Sequence, residues 1–286
     1  MPSIHLSQSA VLTCNAPTCE VSTCKVSTCE ASTGKAPTTA NPTKTAAPTI
    51  TANTALFLDF DGTLVDIAPH YDLIEISPDL RLLLAQLFIQ LNGAVAIVSG
   101  RSLLDLDAYL APLKLPLAAE HGAVCRFADG QLAGVQSPAL QDVIRVASAL
   151  AAQHPGLQVE IKTRAVALHY RQAPDLQALC LQAMAEAVLR TPGVELLHGK
   201  FVLEAKPAGI TKGTAIQALM QQLPFTGRVP VFAGDDITDE AGFLAVQSLG
   251  GDTIKVGAGD SQARYRFANP FIFRHWLSSC AKELQA

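Results

Sequence analysis

The chain has 286 residues, of which 49% are hydrophobic and only 16% charged, so it can bury a substantial core and is not disordered throughout. Its net charge is −4, from 21 basic and 25 acidic residues, and it carries no run rich in Lys and Arg, which argues against nucleic acid as a partner. No apolar stretch approaches the roughly 18 residues that cross a membrane, so we expect no membrane partner either.

The chain begins with a segment of small and polar residues. This segment lacks the basic start and long apolar stretch of an export signal, so we expect a cytoplasmic protein. Residues 13–37 repeat in units of five, and each of the first four units carries a cysteine, namely Cys14, Cys19, Cys24 and Cys29. A metal or redox tail is one interpretation, but steps of five suit neither a zinc knuckle nor one face of a helix or strand. Since Ser, Thr, Pro and Ala dominate, we predict that residues 1–53 are disordered and that deleting residues 1–50 leaves activity and thermal midpoint nearly unchanged.

The first strong structural signal is the stretch ALFLDFDGTLVD. Its four apolar residues, Ala55–Leu58, predict a strand buried on both faces, as in a parallel sheet, and Gly62 ends it with a turn. Asp59 and Asp61 lie two positions apart and therefore point the same way as the strand opens into its loop. Adjacent carboxylates repel and keep their charge only with a cation or a shared proton. An ordinary Asp-Gly turn between strands is the alternative for this stretch alone.

Three further apolar runs end in polar residues, and helical patterns alternate with them. The runs and their polar ends are 93–101 with Ser99-Gly100-Arg101, 115–123 with Glu120-His121-Gly122, and 228–240 with Gly234-Asp235-Asp236. One helix has Ser77 as N-cap and Pro78 at its first position, and another follows Lys212-Gly213. The alternation predicts an α/β fold with a doubly wound parallel sheet. Ligands of such sheets bind beyond the carboxyl ends of the strands, where these polar residues lie.

The residues at these strand ends suit phosphoryl transfer. Asp59, Asp61 and Asp235 offer oxygen ligands of the type that Mg²⁺ prefers. Ser99 supplies a hydroxyl group and Lys212 a positive charge for phosphate oxygens. A carboxylate can also attack phosphorus directly and form an aspartyl-phosphate that water later hydrolyses.

These residues resemble the four motifs of the haloacid dehalogenase superfamily of phosphohydrolases. DFDGTL (59–64) resembles the first motif, Ser99 the second, Lys212 the third and GDDITD (234–239) the fourth. The resemblance implies a Rossmann-like core with four catalytic residues, Asp59, Asp61, Ser99 and Lys212.

Individual roles also follow from this resemblance. It implies that Asp59 is the nucleophile, and that Asp61 is the acid for the leaving alkoxide and then the base for water. It implies that Mg²⁺ is held by the side chains of Asp59 and Asp235 and by the backbone carbonyl of Asp61, with Asp239 in support. The metal residues are therefore expected to be Asp59, Asp61, Asp235 and Asp239.

The pattern changes between residues 134 and 205. A helix from Ser137-Pro138 to about Gln153 is followed by two short strands, a helix from about Pro174 to Arg190, and two more strands. This αββαββ order indicates an inserted α+β layer and resembles a C2-type cap. We expect a core domain of residues 54–133 and 206–286 and a cap domain of residues 134–205.

The strands of the insert alternate between apolar residues and a dense mixture of Glu, Lys, Arg and His. Such a face suits the hydroxyl groups of a sugar phosphate, although a solvated sheet face is the alternative for any single strand. The phrases EHG, VEIK, HYR and KFVLEAKP…TKG resemble trehalose-6-phosphate phosphatases over residues 54–275. By that resemblance the candidate substrate contacts are Arg101, Glu120, His121, Lys162, Arg171, Lys200, Glu204 and Lys206. His121 and His169 are also compatible with a purely structural role.

The expected function is therefore Mg²⁺-dependent hydrolysis of trehalose 6-phosphate by a monomer whose partner is a small sugar phosphate. Phosphatases of sucrose 6-phosphate or mannosyl-3-phosphoglycerate remain alternatives, because the core motifs bind phosphate and metal and not sugar. A phosphomannomutase shares the first motif but returns the phosphate to its substrate. A non-catalytic sugar-phosphate sensor would have no evident need of both a nucleophile and an acid.

Overall fold

A computed structural model of the chain describes residues 47–67, 74 and 76–285. The cysteine repeats at 13–37 lie outside the described residues, so their disorder stays a prediction. Among the helices of the described ranges, none is long and apolar enough to cross a membrane.

The described strands are short, between three and six residues each, and the helices have eight to fourteen residues. The strands are β1 (Thr54–Leu58), β2 (Val95–Val98), β3 (Leu117–Ala119), β4 (Val124–Arg126), β5 (Leu132–Gly134), β6 (Gln158–Ile161), β7 (Val166–His169), β8 (Val194–Gly199), β9 (Val202–Pro207), β10 (Val229–Gly234), β11 (Asp252–Val256) and β12 (Tyr265–Phe267). The helices are α1 (Pro78–Gln90), α2 (Leu103–Leu110), α3 (Gln141–Gln153), α4 (Gln177–Leu189), α5 (Lys212–Met220), α6 (Glu240–Ser248) and α7 (Pro270–Glu283).

Eight of the described strands form one sheet in the order β12–β11–β10–β1–β2–β3–β4–β5. Neighbouring strands from β12 to β3 run parallel, which confirms the predicted parallel core. The central strand β1 is buried along its whole length, as expected of a parallel strand covered on both faces. The sequence did not predict β4 and β5, which extend the sheet by antiparallel pairing.

Helices cover this sheet and share its apolar core. Side chains of α1, α5, α6 and α7 join those of the central strands in one buried cluster. Ser77 caps α1 as predicted, because its side-chain oxygen accepts a hydrogen bond from the backbone N–H of Leu80 at 3.2 Å. Thr211 caps α5 in the same way and exchanges hydrogen bonds with Thr214, which fixes Lys212 at the first position of that helix.

The insert forms a second, antiparallel sheet in the order β6–β7–β9–β8. Helices α3 and α4 pack against it around a separate apolar cluster, so the predicted αββαββ order is confirmed. Several predicted limits were wrong. Helix α3 begins at Gln141, three residues after Pro138, and β6 ends at Ile161, which leaves Lys162 in the following loop.

The packed part of the chain begins earlier than predicted. The predicted disordered tail ran to residue 53, but Ile50 is only 6% exposed and belongs to the apolar core. The backbone N–H of Thr51 also donates to the side chain of Thr54 at 3.0 Å. The prediction missed this because Ile50 is a single large apolar residue among polar ones, and the composition of a segment does not reveal that one of its residues is buried. The predicted limit of the tail at residue 53 was therefore wrong, and we now expect that deleting residues 1–50 destabilises the protein.

We predict that two deletions four residues apart differ in stability. Removing residues 1–46 should leave the thermal midpoint and activity unchanged, whereas removing residues 1–50 should lower the unfolding free energy by about 2 kcal/mol through loss of the buried Ile50 side chain. That cost corresponds to roughly 4–8 °C in a chain of this size. Thermal melts of both deletions, with Ile50→Ala in the full chain as a third variant, make the comparison. Equal midpoints for the two deletions would contradict the packing of Ile50.

Candidate active site

The ends of β1 and β10 bring three carboxylates together. Asp59 follows β1, Asp235 follows β10, and Asp239 lies in the turn that leads into α6. One carboxylate oxygen from each lies within 4.8 Å of the others, although up to 180 residues of chain separate them. Parallel strands make this possible, because their carboxyl ends meet at one edge of the sheet.

A buried lysine links two of these carboxylates. Lys212 Nζ lies 2.6 Å from Asp59 Oδ1 and 2.6 Å from Asp239 Oδ1, and all three side chains are at most 4% exposed. Thr63 Oγ1 donates to the other oxygen of Asp59 at 3.0 Å. These contacts fix the orientation of Asp59 from both of its oxygens.

The second oxygen of Asp239 is used by the backbone. Asp239 Oδ2 accepts hydrogen bonds from the N–H groups of Asp235 at 3.0 Å and Asp236 at 2.9 Å. Lys255 donates to the backbone carbonyl of Asp235. Asp239 and Lys255 thus hold the loop that carries Asp235.

Negative charge exceeds positive charge at this point. Burial and the nearby Asp239 raise the pKa of Asp59 well above its ordinary value, and the same two causes raise the pKa of Asp235 to about 7. Burial opposes the charge of Lys212, but Asp239 and Asp59 outweigh it and raise the pKa of that ammonium group. A hard cation among these oxygens would relieve the repulsion, so the donor set fits Mg²⁺.

A glycine makes room for one of these carboxylates. Gly62 has φ +78°, and a Cβ atom on it would lie 2.1 Å from Asp235 Oδ2. Both the left-handed turn and the close approach require the absence of a side chain. This explains the glycine that ends the first strand signal in the sequence.

Asp61 is held by an arginine. Its two oxygens accept hydrogen bonds from Arg101 Nε at 2.6 Å and Nη2 at 2.8 Å, a bidentate pairing. The guanidinium group also lies 5.3 Å from the ring centre of Tyr109. Arg101 is thereby fixed beside the carboxylate that the first motif places two residues after Asp59.

A cavity of about 220 Å³ opens above these groups and extends to the inserted sheet. It brings together most of the predicted site residues, namely Asp59, Asp61, Ser99, Arg101, His121, Lys162, Arg171, Lys200, Glu204, Lys212 and Asp235. Core and insert therefore contribute to one continuous site.

Charged residues of the insert meet the core across this cavity. Lys162 Nζ donates to Glu204 Oε2 at 2.8 Å and to the backbone carbonyl of Gly100 at 2.9 Å. Burial opposes the charge of Glu204, but Lys162 and then His121 outweigh it and hold the pKa of the carboxyl well below its ordinary value. Burial lowers the pKa of His121, an effect that the charge of Glu204 partly offsets.

Comparison with known proteins gives the family. The chain matches the family model described as trehalose-phosphatase over residues 57–270. The chain belongs to the trehalose-phosphatase family. It is 41% identical over 244 residues to the trehalose-6-phosphate phosphatase of Escherichia coli, a match that covers 84% of this chain and 91% of that one.

Solved structures agree with this trehalose-phosphatase assignment. A crystal structure of a trehalose-6-phosphate phosphatase related protein is 27% identical, with a TM-score of 0.66 over 80% of this chain and 97% of that chain. A haloacid dehalogenase-like hydrolase from B. subtilis is 15% identical, with a TM-score of 0.54 over 80% of this chain and 99% of that one, and shows the fold alone. The predicted family, fold class and phosphatase class are confirmed.

The structure of this trehalose-phosphatase family member places two predicted substrate contacts outside the cavity lining. Glu120 is fully buried, and its carboxylate accepts hydrogen bonds from the backbone N–H groups of Thr163 at 3.1 Å and Arg164 at 2.7 Å. Glu120 thus joins the core to the loop between β6 and β7. These partners are distant in sequence, so the strand pattern did not indicate them.

Lys206 is the second such residue. It is 3% exposed and contacts Glu195 and the backbone carbonyl of Ile210. It lines a neighbouring cavity of about 150 Å³. Lys206 shares a strand face with Glu204, but it lies two residues further along β9 and does not line the main cavity.

The predicted site residues omitted a hydrogen-bonded pair of Glu160 and His169 that lines the cavity. Glu160 Oε2 and His169 Nε2 lie 2.9 Å apart on the paired strands β6 and β7. Although burial opposes it, His169 lowers the pKa of the Glu160 carboxyl. Both residues lie on polar faces of their strands in the sequence, which was the available signal. Gln158, Gln172, Asp236 and Thr238 also line the cavity without having been predicted.

We predict that Asp235→Asn stabilises the metal-free protein at high pH. The ordinary carboxyl pKa is about 4, so between pH 4 and 7 folded Asp235 holds a proton that the unfolded chain releases, and stability falls as the pH rises through this window. With EDTA, the midpoint of the variant should exceed that of wild type by roughly 3 °C or more at pH 8, and by less at pH 5. The measurement is a pair of thermal melts at each pH.

Asp260→Asn, at an exposed aspartate, is the matched control and should follow wild type at both pH values. Added Mg²⁺ should stabilise wild type at pH 8 but not Asp235→Asn. A midpoint difference that shrinks as the pH rises would rule out the raised pKa of Asp235 and its cost to stability.

Proposed function

We propose that this chain hydrolyses trehalose 6-phosphate to trehalose and phosphate, with Mg²⁺ and through an aspartyl-phosphate intermediate. The observation that carries the proposal is a single cavity with Asp59 and Lys212 at one end and charged residues of the insert along the rest. Further support comes from the 41% identity to a trehalose-6-phosphate phosphatase.

The metal would be held by the side chains of Asp59 and Asp235 and by the backbone carbonyl of Asp61. When bound, Mg²⁺ neutralises phosphate oxygens and the carboxylates around them. Asp239 supports the site indirectly, since its oxygens already accept bonds from Lys212 and from two backbone N–H groups.

In the first step Asp59 attacks phosphorus. A bond forms between the Asp59 carboxylate oxygen and phosphorus, and the bond from phosphorus to the sugar oxygen breaks. Asp61 gives its proton to the leaving alkoxide. Lys212 and Ser99 offset the charge on the phosphate oxygens, Lys212 from its position 2.6 Å from Asp59.

In the second step water replaces Asp59 on phosphorus. Asp61, now ionised, takes a proton from the water, and the new oxygen–phosphorus bond forms as the acyl phosphate bond breaks. Inorganic phosphate leaves and Asp59 regains its carboxylate.

Arg101 is proposed to link substrate binding to this proton transfer. In the free protein its guanidinium group occupies both oxygens of Asp61 through two hydrogen bonds. Asp61 needs a free oxygen to pass a proton to the leaving group, so the pair has to open. The phosphate group competes for Arg101 as a second anion and provides a reason for the opening.

The sugar is proposed to bind the polar residues of the insert. Glu204 Oε1 is buried and has no hydrogen-bond partner among the described residues, although Oε2 of the same carboxylate is paired with Lys162. A buried acceptor without a partner is costly, and a sugar hydroxyl group would satisfy it. Glu160, Lys200 and Arg171 line the same cavity and add further charged groups for hydroxyl recognition.

We expect phosphate release with Mg²⁺ to be fastest from trehalose 6-phosphate. The panel contains trehalose 6-phosphate, sucrose 6-phosphate, mannosyl-3-phosphoglycerate, glucose 6-phosphate and mannose 6-phosphate, each with and without EDTA. A preference for trehalose 6-phosphate that EDTA abolishes is the expected result. A preference for another sugar phosphate would keep the mechanism and refute the substrate, and no release from any of them would favour a mutase or a sensor.

We predict that Asp59→Asn lowers kcat by at least about 1,000-fold, because an amide is a poor nucleophile toward phosphorus. The fold should persist, since the Asn oxygen still accepts a bond from Lys212 or Thr63. The measurement is steady-state phosphate release together with a thermal melt. Asp175→Asn, at an exposed aspartate of the insert, is the matched control and should retain full activity. Near-normal turnover in Asp59→Asn would refute the nucleophile assignment.

A further inference from the structure

The turn between β8 and β9 contains an unusual backbone conformation. Gly199 and Val202 pair across the two strands, so Lys200 and Phe201 form the turn. Phe201 has φ +65°, in the left-handed region that favours glycine. A bulky residue in this region is an outlier whose cost has to be compensated by its surroundings.

Burial of the ring does not supply that compensation. Phe201 is 38% exposed, so it is not a core residue of the insert. The ring of Tyr170 meets it edge-on at a centroid distance of 6.1 Å. Partial packing of this kind is available to many residues and does not explain an aromatic side chain at a position suited to glycine.

The ring instead contacts a cation. The guanidinium carbon of Arg171 lies 5.3 Å from the centre of the Phe201 ring, within the range of a cation–π interaction. Arg171 Nη2 also donates to the backbone carbonyl of Lys200 at 3.2 Å. Both turn residues therefore contact Arg171, Phe201 through the face of its ring and Lys200 through its backbone carbonyl.

The turn lies at the end of the insert that is remote from the core. The loop between β6 and β7 contacts the core through Lys162, and β7 runs from that loop to His169, which pairs with Val202. Four residues of strand separate the two ends by roughly 10 Å. Since Arg171 and Lys200 line the same cavity as Asp59, they meet the part of a substrate that is distant from its phosphoryl group.

We propose that Phe201 is a positioning residue for substrate specificity, whose strained turn presents Arg171 and Lys200 to the sugar ring remote from the phosphoryl group. The inference rests on the proposed function, because trehalose 6-phosphate carries a second sugar ring that a monosaccharide phosphate lacks. Phe201 does not line the cavity, so it acts through Arg171 and not by contact with substrate.

Three variants separate this role from a structural one. Phe201→Gly removes both the ring and the strain, Phe201→Leu removes the ring face and keeps the strained conformation, and Phe201→Tyr retains the ring face. We expect KM for trehalose 6-phosphate to rise about fivefold in the Gly and Leu variants, from loss of a cation–π contact, and to stay near wild type in the Tyr variant. The kcat for trehalose 6-phosphate and the KM for p-nitrophenyl phosphate should not change, because neither depends on the remote end.

Thermal stability is expected to change in the direction opposite to binding. Phe201→Gly should melt at or above the wild-type temperature, since relief of backbone strain accompanies the loss of binding. A lower midpoint with an unchanged KM for trehalose 6-phosphate would show that Phe201 is merely structural and would overturn the proposal. Equal increases in KM for both substrates would also overturn it.

Failure of the proposed function can be told apart from failure of this inference. The substrate preference of wild type tests the function alone. Titration calorimetry of trehalose 6-phosphate into Asp59→Asn, with and without Phe201→Gly, measures affinity without turnover. A fivefold loss of affinity in the double variant supports the positioning role even if another substrate is preferred, and an unchanged affinity overturns it.

Discussion

The buried ion pairs of Lys212 are the interaction on which the site depends. One ammonium group contacts carboxylates from two parts of the chain, Asp59 after β1 and Asp239 before α6, and all three side chains are largely buried. Removing one partner from such a pair leaves a buried charge and is costly, so the three side chains fix one another. The position of Lys212 in turn depends on the capped start of α5. Helix capping, strand order and catalytic geometry are thus parts of one arrangement.

One lysine does not neutralise three carboxylates, and this imbalance has a consequence for function. Burial, together with the charge of Asp239, raises the pKa values of Asp59 and Asp235, and the protein alone leaves this penalty on their charged forms unrelieved. A fold that stores repulsion at one point gives up stability there and gains affinity for a cation. The backbone is built around this point, since Gly62 leaves space for Asp235 and Lys255 contacts its carbonyl.

The sequence predicted the parts of this structure that are local. A buried strand followed by two aspartates, or a serine followed by proline at a helix start, can be recognised within a few residues. Partner choice over long distances could not be predicted in this way. Glu120 was expected to contact substrate, yet it accepts bonds from a loop more than forty residues away. The strand pattern also treated Lys200 as a strand residue, whereas it lies in a turn whose backbone accepts a hydrogen bond from Arg171.

The two halves of the cavity obey different physical constraints. At the core end the charges are fixed by burial and by direct ion pairs, so the chemistry tolerates little variation in position. At the insert end the contacts are half-exposed and depend on a strained turn, which small changes of sequence can alter without unfolding the core. The carboxylate of Glu204 combines features of both ends of the cavity. One of its oxygens is paired with Lys162, and the other has no hydrogen-bond partner among the described residues. The substrate hydroxyl group that satisfies this oxygen would connect sugar recognition to the ion-pair network that also reaches the backbone beside Ser99.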